Sequence, residues 1–120
     1  MERASRSGRL GAQAEALAAR RLQQAGWSIV ARNFRCRLGE LDLVARRGAL
    51  LIIAEVRLRT GTRFGGPAAS ITAAKRARIV RAAGYLLLCR PELARCRLRF
   101  DALLLRSRAG EIEWIEDAFT

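Results

Sequence analysis

The stretch from Gly39 to Arg59, GELDLVARRGALLIIAEVRLR, decides the fold of this chain. Most of it is typical of two apolar β-strands joined by a tight turn. Acidic residues nevertheless interrupt both apolar runs, namely Glu40 and Asp42 in the first and Glu55 in the second. Acids at such positions need either a structural partner or a chemical role.

A turn centred on residues 48–49 places residues opposite one another when their numbers add up to 97. Asp42 then lies opposite Glu55, and Glu40 lies opposite Arg57. Because side chains alternate along a strand, these four share one face of the hairpin. The other face is predicted to carry Leu41, Leu43, Ile52, Ala54 and Val56.

Two carboxylates directly opposite each other repel, and burial makes this repulsion costly unless a positive charge offsets it. A bound divalent metal is one source of that charge, since Mg²⁺ and Mn²⁺ prefer oxygen ligands. Arg57 and neighbouring arginines are another source, and a solvated sheet edge would relieve the repulsion without either. The residues alone leave these alternatives open.

The remaining segments predict two helices and further strands around this hairpin. The predicted elements are a helix at 8–24, strands at 27–34, 39–45 and 50–58, a helix at 73–89 with Thr72 as its N-cap, a strand at 96–105 and a short final strand at 111–117. A long glycine-rich loop spans 59–72. The order α-β-β-β-α-β, with a last strand after it, predicts an α/β fold with a mixed β-sheet and flanking helices.

The length of 120 residues predicts a single domain over 1–120, in which residues 1–7 form a loose basic arm. No run of 18 apolar residues occurs, and no apolar segment follows the basic N-terminus, so we expect neither a membrane span nor a secretory signal. Three cysteines without paired spacing predict reduced thiols and a cytoplasmic location. Asp101, in an apolar strand, predicts a structural hydrogen bond to a backbone group.

The net charge of +12, from 23 basic and 11 acidic residues, favours a polyanionic partner, with nucleic acid first. An acidic protein partner is the alternative. The chain has no histidine, which excludes a Ser-His-Asp triad, a Cys-His pair and a histidine-ligated metal within this chain.

Asp42 and Glu55, on either side of the turn, resemble the motif of the PD-(D/E)xK nucleases. In that motif an aspartate is followed, after a spacer across the turn, by Glu-x-Lys. That superfamily has a restriction-endonuclease-like core of order α-β-β-β-α-β. More narrowly, the chain resembles the YraN-like family of bacterial proteins related to endonucleases. The segments that carry the resemblance are GAQAEALAARRL, ARNFRCRLGELDLVAR, IIAEVRLR, FGGPAASITAAKRARIVRAAGYLL and LRFDALLL.

The resemblance implies a site that holds Mg²⁺ or Mn²⁺ and hydrolyses phosphodiester bonds. Asp42 and Glu55 match its metal ligands, and the carbonyl group of Val56 is expected near the same metal. Glu15 matches an acid that some resolvase-like relatives add. Glu40 belongs to the same segment as a supporting acid.

The chain departs from this pattern at Arg57, which stands where the motif has lysine. The resemblance implies that this lysine positions the attacking water and stabilises charge on the scissile phosphate. As a catalytic residue beside Asp42 and Glu55, Arg57 would clamp the phosphate through two donors. Its guanidinium is planar and keeps its proton, unlike a compact ammonium group. Two interpretations stay open: a metal-dependent endonuclease that tolerates arginine, and a nucleic-acid-binding module without catalysis.

Basic residues flank the proposed site on both sides, as contacts to a phosphate backbone require. The residues assigned to nucleic-acid binding are Arg35, Arg37, Arg59, Arg63, Lys75 and Arg78. The resemblance favours DNA over RNA as the substrate. A homodimer is an open alternative, because many nucleases of this fold pair to cut two strands.

Overall fold

The structure, a computed structural model, describes residues 6–58, 71–106 and 111–119. Two helices, a short 3₁₀ turn and five strands succeed one another along the chain. Their bounds are α1 Arg6–Gln24, β1 Ser28–Cys36, β2 Gly39–Arg47, β3 Leu50–Leu58, α2 Ala73–Cys89, the 3₁₀ turn Pro91–Leu93, β4 Arg97–Leu105 and β5 Ile112–Phe119.

The five strands form one mixed sheet in the order β1-β2-β3-β4-β5. β3 and β4 are parallel, and the other neighbours are antiparallel. The parallel pair follows from α2, which carries the chain from the end of β3 back to the start of β4. The predicted element order and the mixed α/β class are confirmed, including the last strand.

The hairpin between β2 and β3 has the predicted register. Its pairs run from Arg47↔Leu50 to Leu43↔Ala54, and the residue numbers of each pair add up to 97. Gly48 adopts a φ of 61° in the turn, a conformation that glycine reaches without steric cost. A two-residue turn of this kind fixes the register of both strands.

The two helices cover opposite faces of the sheet, and each face has its own apolar core. On the α1 face, Leu43, Ile52 and Ala54 pack with Leu22 and Trp27. On the α2 face, the core contains Leu41, Val44, Leu51, Ile53, Ile79, Ala82, Leu86 and Phe100. The sheet is therefore the middle layer of three.

The predicted assignment of Leu41 to the same face as Leu43 is wrong. Leu41 packs in the α2 core, whereas Leu43 packs in the α1 core. The reason lies in the paired strand β1, where Asn33 has a φ of 52°. A left-handed residue interrupts the two-residue alternation, so Phe34 and its partner Leu41 turn towards α2.

The predicted role of Asp101 is confirmed. Its fully buried carboxylate accepts a hydrogen bond of 3.0 Å from the backbone N–H of Asp117. It also accepts two from the Arg99 guanidinium and one from the Trp114 indole, each at 2.9 Å. These partners join β4 to β5 and compensate the burial of the charge.

Two predicted segments extend beyond the described residues. Residues 59–70 of the predicted loop lie outside them, as do residues 1–5 of the predicted basic arm. Residues 6 and 7 of that arm belong to α1. Within the described residues, no helix is long and apolar enough to cross a membrane.

α2 approaches β2 so closely at Gly39 that no larger residue fits. A Cβ atom on Gly39 would lie 2.9 Å from the carbonyl oxygen of Arg78 and 3.2 Å from its Cβ atom. Both neighbours are fixed by the helix, so they cannot move aside cheaply. The contact sets how near the first turns of α2 come to the acidic end of β2.

We expect Gly39→Ala to destabilise the protein by about 1–3 kcal/mol, because it forces α2 away from β2. Gly84→Ala is the matched control: nothing lies within 4 Å of its added Cβ, and alanine favours the helix by about 0.5–1 kcal/mol. Urea unfolding of both variants measures the two effects. Equal changes in the free energy of unfolding would contradict the close approach at Gly39.

Candidate functional site

A cleft of about 490 Å³ opens between the β1–β2 hairpin and the first turns of α2. Its walls carry both acidic and basic side chains. The lining residues are Arg35, Cys36, Gly39, Glu40, Asp42, Lys75, Arg78 and Ile79. Four of the residues predicted for the site (Arg35, Asp42, Lys75 and Arg78) therefore share one cleft, with Glu40 as a fifth.

Asp42 lies where the regular pairing of β2 with β3 ends. The last β2–β3 pair is Leu43↔Ala54, and beyond it the Asp42 side chain accepts a hydrogen bond of 2.9 Å from the backbone N–H of Val56. A carboxylate thus takes the place of a ladder partner. The predicted pair of Asp42 with Glu55 is not among the β2–β3 pairs, and Asp42 instead binds the residue that follows Glu55.

Glu55 is buried, with only 3% of its surface exposed. Its Oε2 atom lies 2.8 Å from the Lys75 ammonium nitrogen and 3.7 Å from Nη1 of Arg57. A buried carboxylate without such partners would be costly. Lys75 lines the cleft and contacts Glu55, so its ammonium group connects the buried carboxylate with the cleft.

The two carboxylates interact strongly through the protein. Burial, followed by the nearby charge of Glu55, raises the pKa of Asp42 from 3.8 to about 8. The hydrogen bond from Val56 and the charge of Lys75 act in the opposite direction but are weaker. Asp42 therefore retains a proton at neutral pH when no other cation is present.

Glu15 reaches the same region from α1. Burial raises its pKa above the ordinary value of 4.5, while a hydrogen bond with the Asn33 side chain lowers it. The charges of Glu40 and Glu55 raise it further, which places Glu15 within the electrostatic reach of the cleft. Four of the 11 acidic residues of the chain thus influence one another here.

Glu40 pairs with Arg35 across the β1–β2 hairpin, with 3.3 Å between Oε2 and Nε. Both side chains are exposed, so the pair contributes little to stability. Arg37 follows in the exposed turn of the hairpin and is not part of the cleft wall. Arg59 and Arg63 lie outside the described residues.

The fit of a divalent metal depends on which oxygen atoms gather here. Among the described residues, no three Asp, Glu, Cys or His side chains group closely enough to hold a metal by themselves. Glu15 therefore does not complete a three-carboxylate site with Asp42 and Glu55. Two carboxylates, one of which accepts a hydrogen bond from the backbone of Val56, are a donor set that suits Mg²⁺ or Mn²⁺ when phosphate and water supply the remaining ligands.

Asn33 is the residue of this region that the sequence predictions missed. Its left-handed conformation turns Phe34 and Leu41 away, and its side chain binds Glu15. One signal was available, since asparagine is disfavoured inside strands and adopts left-handed backbone more readily than other residues with a side chain. An asparagine inside the strand ARNFRC indicates a local irregularity.

Comparison with known proteins gives one family and many relatives. The model of the family described as "Uncharacterised protein family UPF0102" matches residues 14–105. A UPF0102 protein of Methylobacillus flagellatus is 52% identical over 112 residues, covering 92% of this chain and 96% of the relative. One of Nitrosomonas europaea is 48% identical over 117 residues, covering 96% and 97%. The matched range contains every acid of the cleft.

The raised pKa of Asp42 predicts how stability depends on pH. In the unfolded chain the aspartate has a pKa of about 3.9. Between that value and about 8 the folded protein holds a proton that the unfolded chain has lost. This contribution to stability is fully present below pH 4 and is lost as the pH rises through 8.

We therefore expect Asp42→Asn to be as stable as the wild type near pH 4 and more stable at pH 9. The gain should reach at least roughly 1.4 kcal/mol, the equivalent of one pKa unit. Urea unfolding in EDTA at several pH values measures it. A wild type that gains stability over the variant as the pH rises would show that Asp42 is stabilised as an anion.

Proposed function

The chain belongs to the UPF0102 family, the YraN-like proteins, and from this premise we propose that it is a metal-dependent endonuclease with a restriction-endonuclease-like core. One observation carries the proposal. Asp42 and Glu55 stand together where β2 and β3 separate, beside two cations and an open cleft. Structural acids are normally satisfied, as Asp101 is, whereas Asp42 has a strongly raised pKa.

The proposed metal is Mg²⁺ or Mn²⁺. Asp42 and Glu55 would hold it through their carboxylates, and the main-chain carbonyl group of Val56 would be a third oxygen donor. Glu15 would act from α1 on the waters around it. When bound, such an ion neutralises charge on the phosphate and lowers the pKa of a bound water.

The residues of the chain then have separate tasks in hydrolysis. The oxygen of a water molecule forms a bond to phosphorus, and the bond from phosphorus to one bridging ester oxygen breaks. The attacking water releases its proton to solvent, and the leaving oxygen takes one up from solvent. Arg57 would hold the phosphate through two donors, which stabilises the charge that develops on it.

Nucleic acid is the polyanion that the charge of the chain favours. Arg35, Lys75 and Arg78 line the cleft, and Arg37 lies exposed in the neighbouring turn. Together with the net charge of +12 they fit contacts to a phosphate backbone. We propose DNA ahead of RNA as the partner, a cytoplasmic location, and Arg59 and Arg63 as further contacts. A homodimer is an alternative to a monomer.

A second candidate function is binding without catalysis, and Arg57 is the observation that favours it. The motif lysine is a compact ammonium group, and arginine does not reproduce its geometry. A chain with this substitution could keep the nucleic-acid surface and lose hydrolysis. The two candidates differ in a single measurable property, metal-dependent cleavage.

We expect the wild type to cleave DNA in Mg²⁺ or Mn²⁺ and not in EDTA. Asp42→Asn should lower the single-turnover rate by roughly 100-fold or more, because a ligand of the metal loses its charge. Glu92→Gln, which removes an exposed acid paired with Arg90 far along the chain, is the control and should cleave normally. Branched, single-stranded and duplex substrates are tested in parallel. Cleavage that survives Asp42→Asn would contradict the proposed site.

Binding to duplex DNA in EDTA should weaken steeply as salt rises. With about four phosphate contacts, we expect a loss of roughly 100-fold in affinity between 50 and 200 mM salt. Arg78→Ala in the cleft should reduce the slope by about one unit, whereas Arg95→Ala, an equal charge change outside the cleft wall, should not. Fluorescence anisotropy measures both. Equal effects of the two variants would indicate that net charge alone drives binding.

A further inference from the structure

Two cations converge on a single oxygen atom of Glu55, and they are not equivalent. The Lys75 ammonium nitrogen lies 2.8 Å from Oε2, within hydrogen-bond distance, while Nη1 of Arg57 lies 3.7 Å away. The motif places its lysine two residues after the glutamate, and position 57 holds arginine. In this chain the ammonium group beside the glutamate comes from α2.

The start of α2 holds Lys75 in this position. The hydroxyl of Thr72 accepts a hydrogen bond of 3.1 Å from the backbone N–H of Lys75, which caps the helix as predicted. Ile71 is fully buried just before the cap, and its carbonyl accepts a 2.9 Å hydrogen bond from the Arg76 side chain. These contacts fix the first turn of α2, in which Lys75 lies.

Lysine is an unfavourable residue at this position of the helix when only the helix itself is considered. Three residues after a Thr cap, a helix favours Glu or Gln, whose side chain returns to the cap. A positive charge in the first turn also opposes the helix dipole, and no acid compensates it there. Local rules that are broken in this way are expected at functional sites.

The composition of the chain also sets Lys75 apart. The chain has 22 arginines and one lysine, and that lysine is Lys75. A general surface charge is supplied by arginine everywhere else, including position 57. The only ammonium group among the side chains therefore stands where it contacts a buried carboxylate and lines the cleft.

We propose that Lys75 takes the role that the motif gives to its lysine, and that Arg57 serves only to bind the phosphate. The inference rests on the proposed nuclease function. An ammonium group has three donors. One stays on Glu55, and the other two point to the attacking water and to a non-bridging oxygen of the scissile phosphate. In this role Lys75 orients the water and stabilises charge, and the proton of the attacking water goes to solvent.

The test compares Lys75→Met and Arg57→Met, which remove one cation each, with the relocation variant Arg57→Lys/Lys75→Met. Single-turnover cleavage gives the rate of the chemical step, and anisotropy in EDTA gives the affinity for DNA. Mn²⁺ affinity, from electron paramagnetic resonance, and thermal unfolding are measured on the same proteins. These last two report on the integrity of Glu55 independently of activity.

We expect Lys75→Met to lower the cleavage rate by roughly 100-fold while DNA affinity changes by less than roughly tenfold. Its Mn²⁺ affinity should stay equal or rise, because a competing positive charge leaves Glu55. Arg57→Met should mainly weaken substrate binding. Returning lysine to position 57 in the Lys75→Met background should restore at least roughly tenfold of the lost rate.

Other outcomes overturn the inference in distinguishable ways. A Lys75→Met variant that cleaves normally shows that Lys75 has no part in the reaction, while the proposed function stands. A variant that loses Mn²⁺ affinity and thermal stability together, without rescue by Arg57→Lys, shows that Lys75 only holds Glu55 in place. Cleavage by Arg57→Lys/Lys75→Met with a silent wild type shows that Lys75 cannot replace the motif lysine. No cleavage by any variant overturns the proposed function as well.

Discussion

Two carboxylates held together at the point where β2 and β3 separate are the constraint that the rest of the site must satisfy. Asp42 and Glu55 lose hydration there and repel each other. Three features of the protein offset these costs. The backbone N–H of Val56 donates to Asp42, Lys75 pairs with Glu55, and Asp42 keeps its proton at neutral pH. The close approach of α2 to β2 at Gly39 lies at the same cleft, to which α2 contributes Lys75.

The hairpin was predictable from the sequence, because a two-residue turn and strict alternation leave one register for β2 and β3. The face on which Leu41 lies was not predictable, because it depends on the left-handed conformation of Asn33 in another strand. Asparagine can adopt that conformation, but its presence in the sequence does not show that it does so. The contact between Lys75 and Glu55 was also beyond prediction. It joins β3 to α2, which begins well after β3 ends along the chain, and no spacing in the sequence encodes the distance between the two side chains.

Asp101 and the acids of the cleft show different uses of buried charge. Asp101 is fully buried, yet its carboxylate has Arg99, Trp114 and the Asp117 backbone as partners, and it ties β4 to β5. The region of the cleft instead contains features that cost stability. They are a carboxylate with a raised pKa, a left-handed residue inside a strand and a lysine in the first turn of a helix. Such conflicts are retained where they serve chemistry.

The presence of Arg57 is easier to understand once Lys75 is considered with it. A single cation after Glu55 would have to neutralise the glutamate, orient water and bind phosphate, and a guanidinium cannot combine these tasks, because its donors are fixed in a plane. Two cations on one oxygen can divide them. Under the proposed function, the ammonium group at 2.8 Å satisfies the buried charge and has further donors for the cleft, and the guanidinium at 3.7 Å would bind the phosphate. On this reasoning, arginine at position 57 is compatible with hydrolysis as long as lysine stays at position 75.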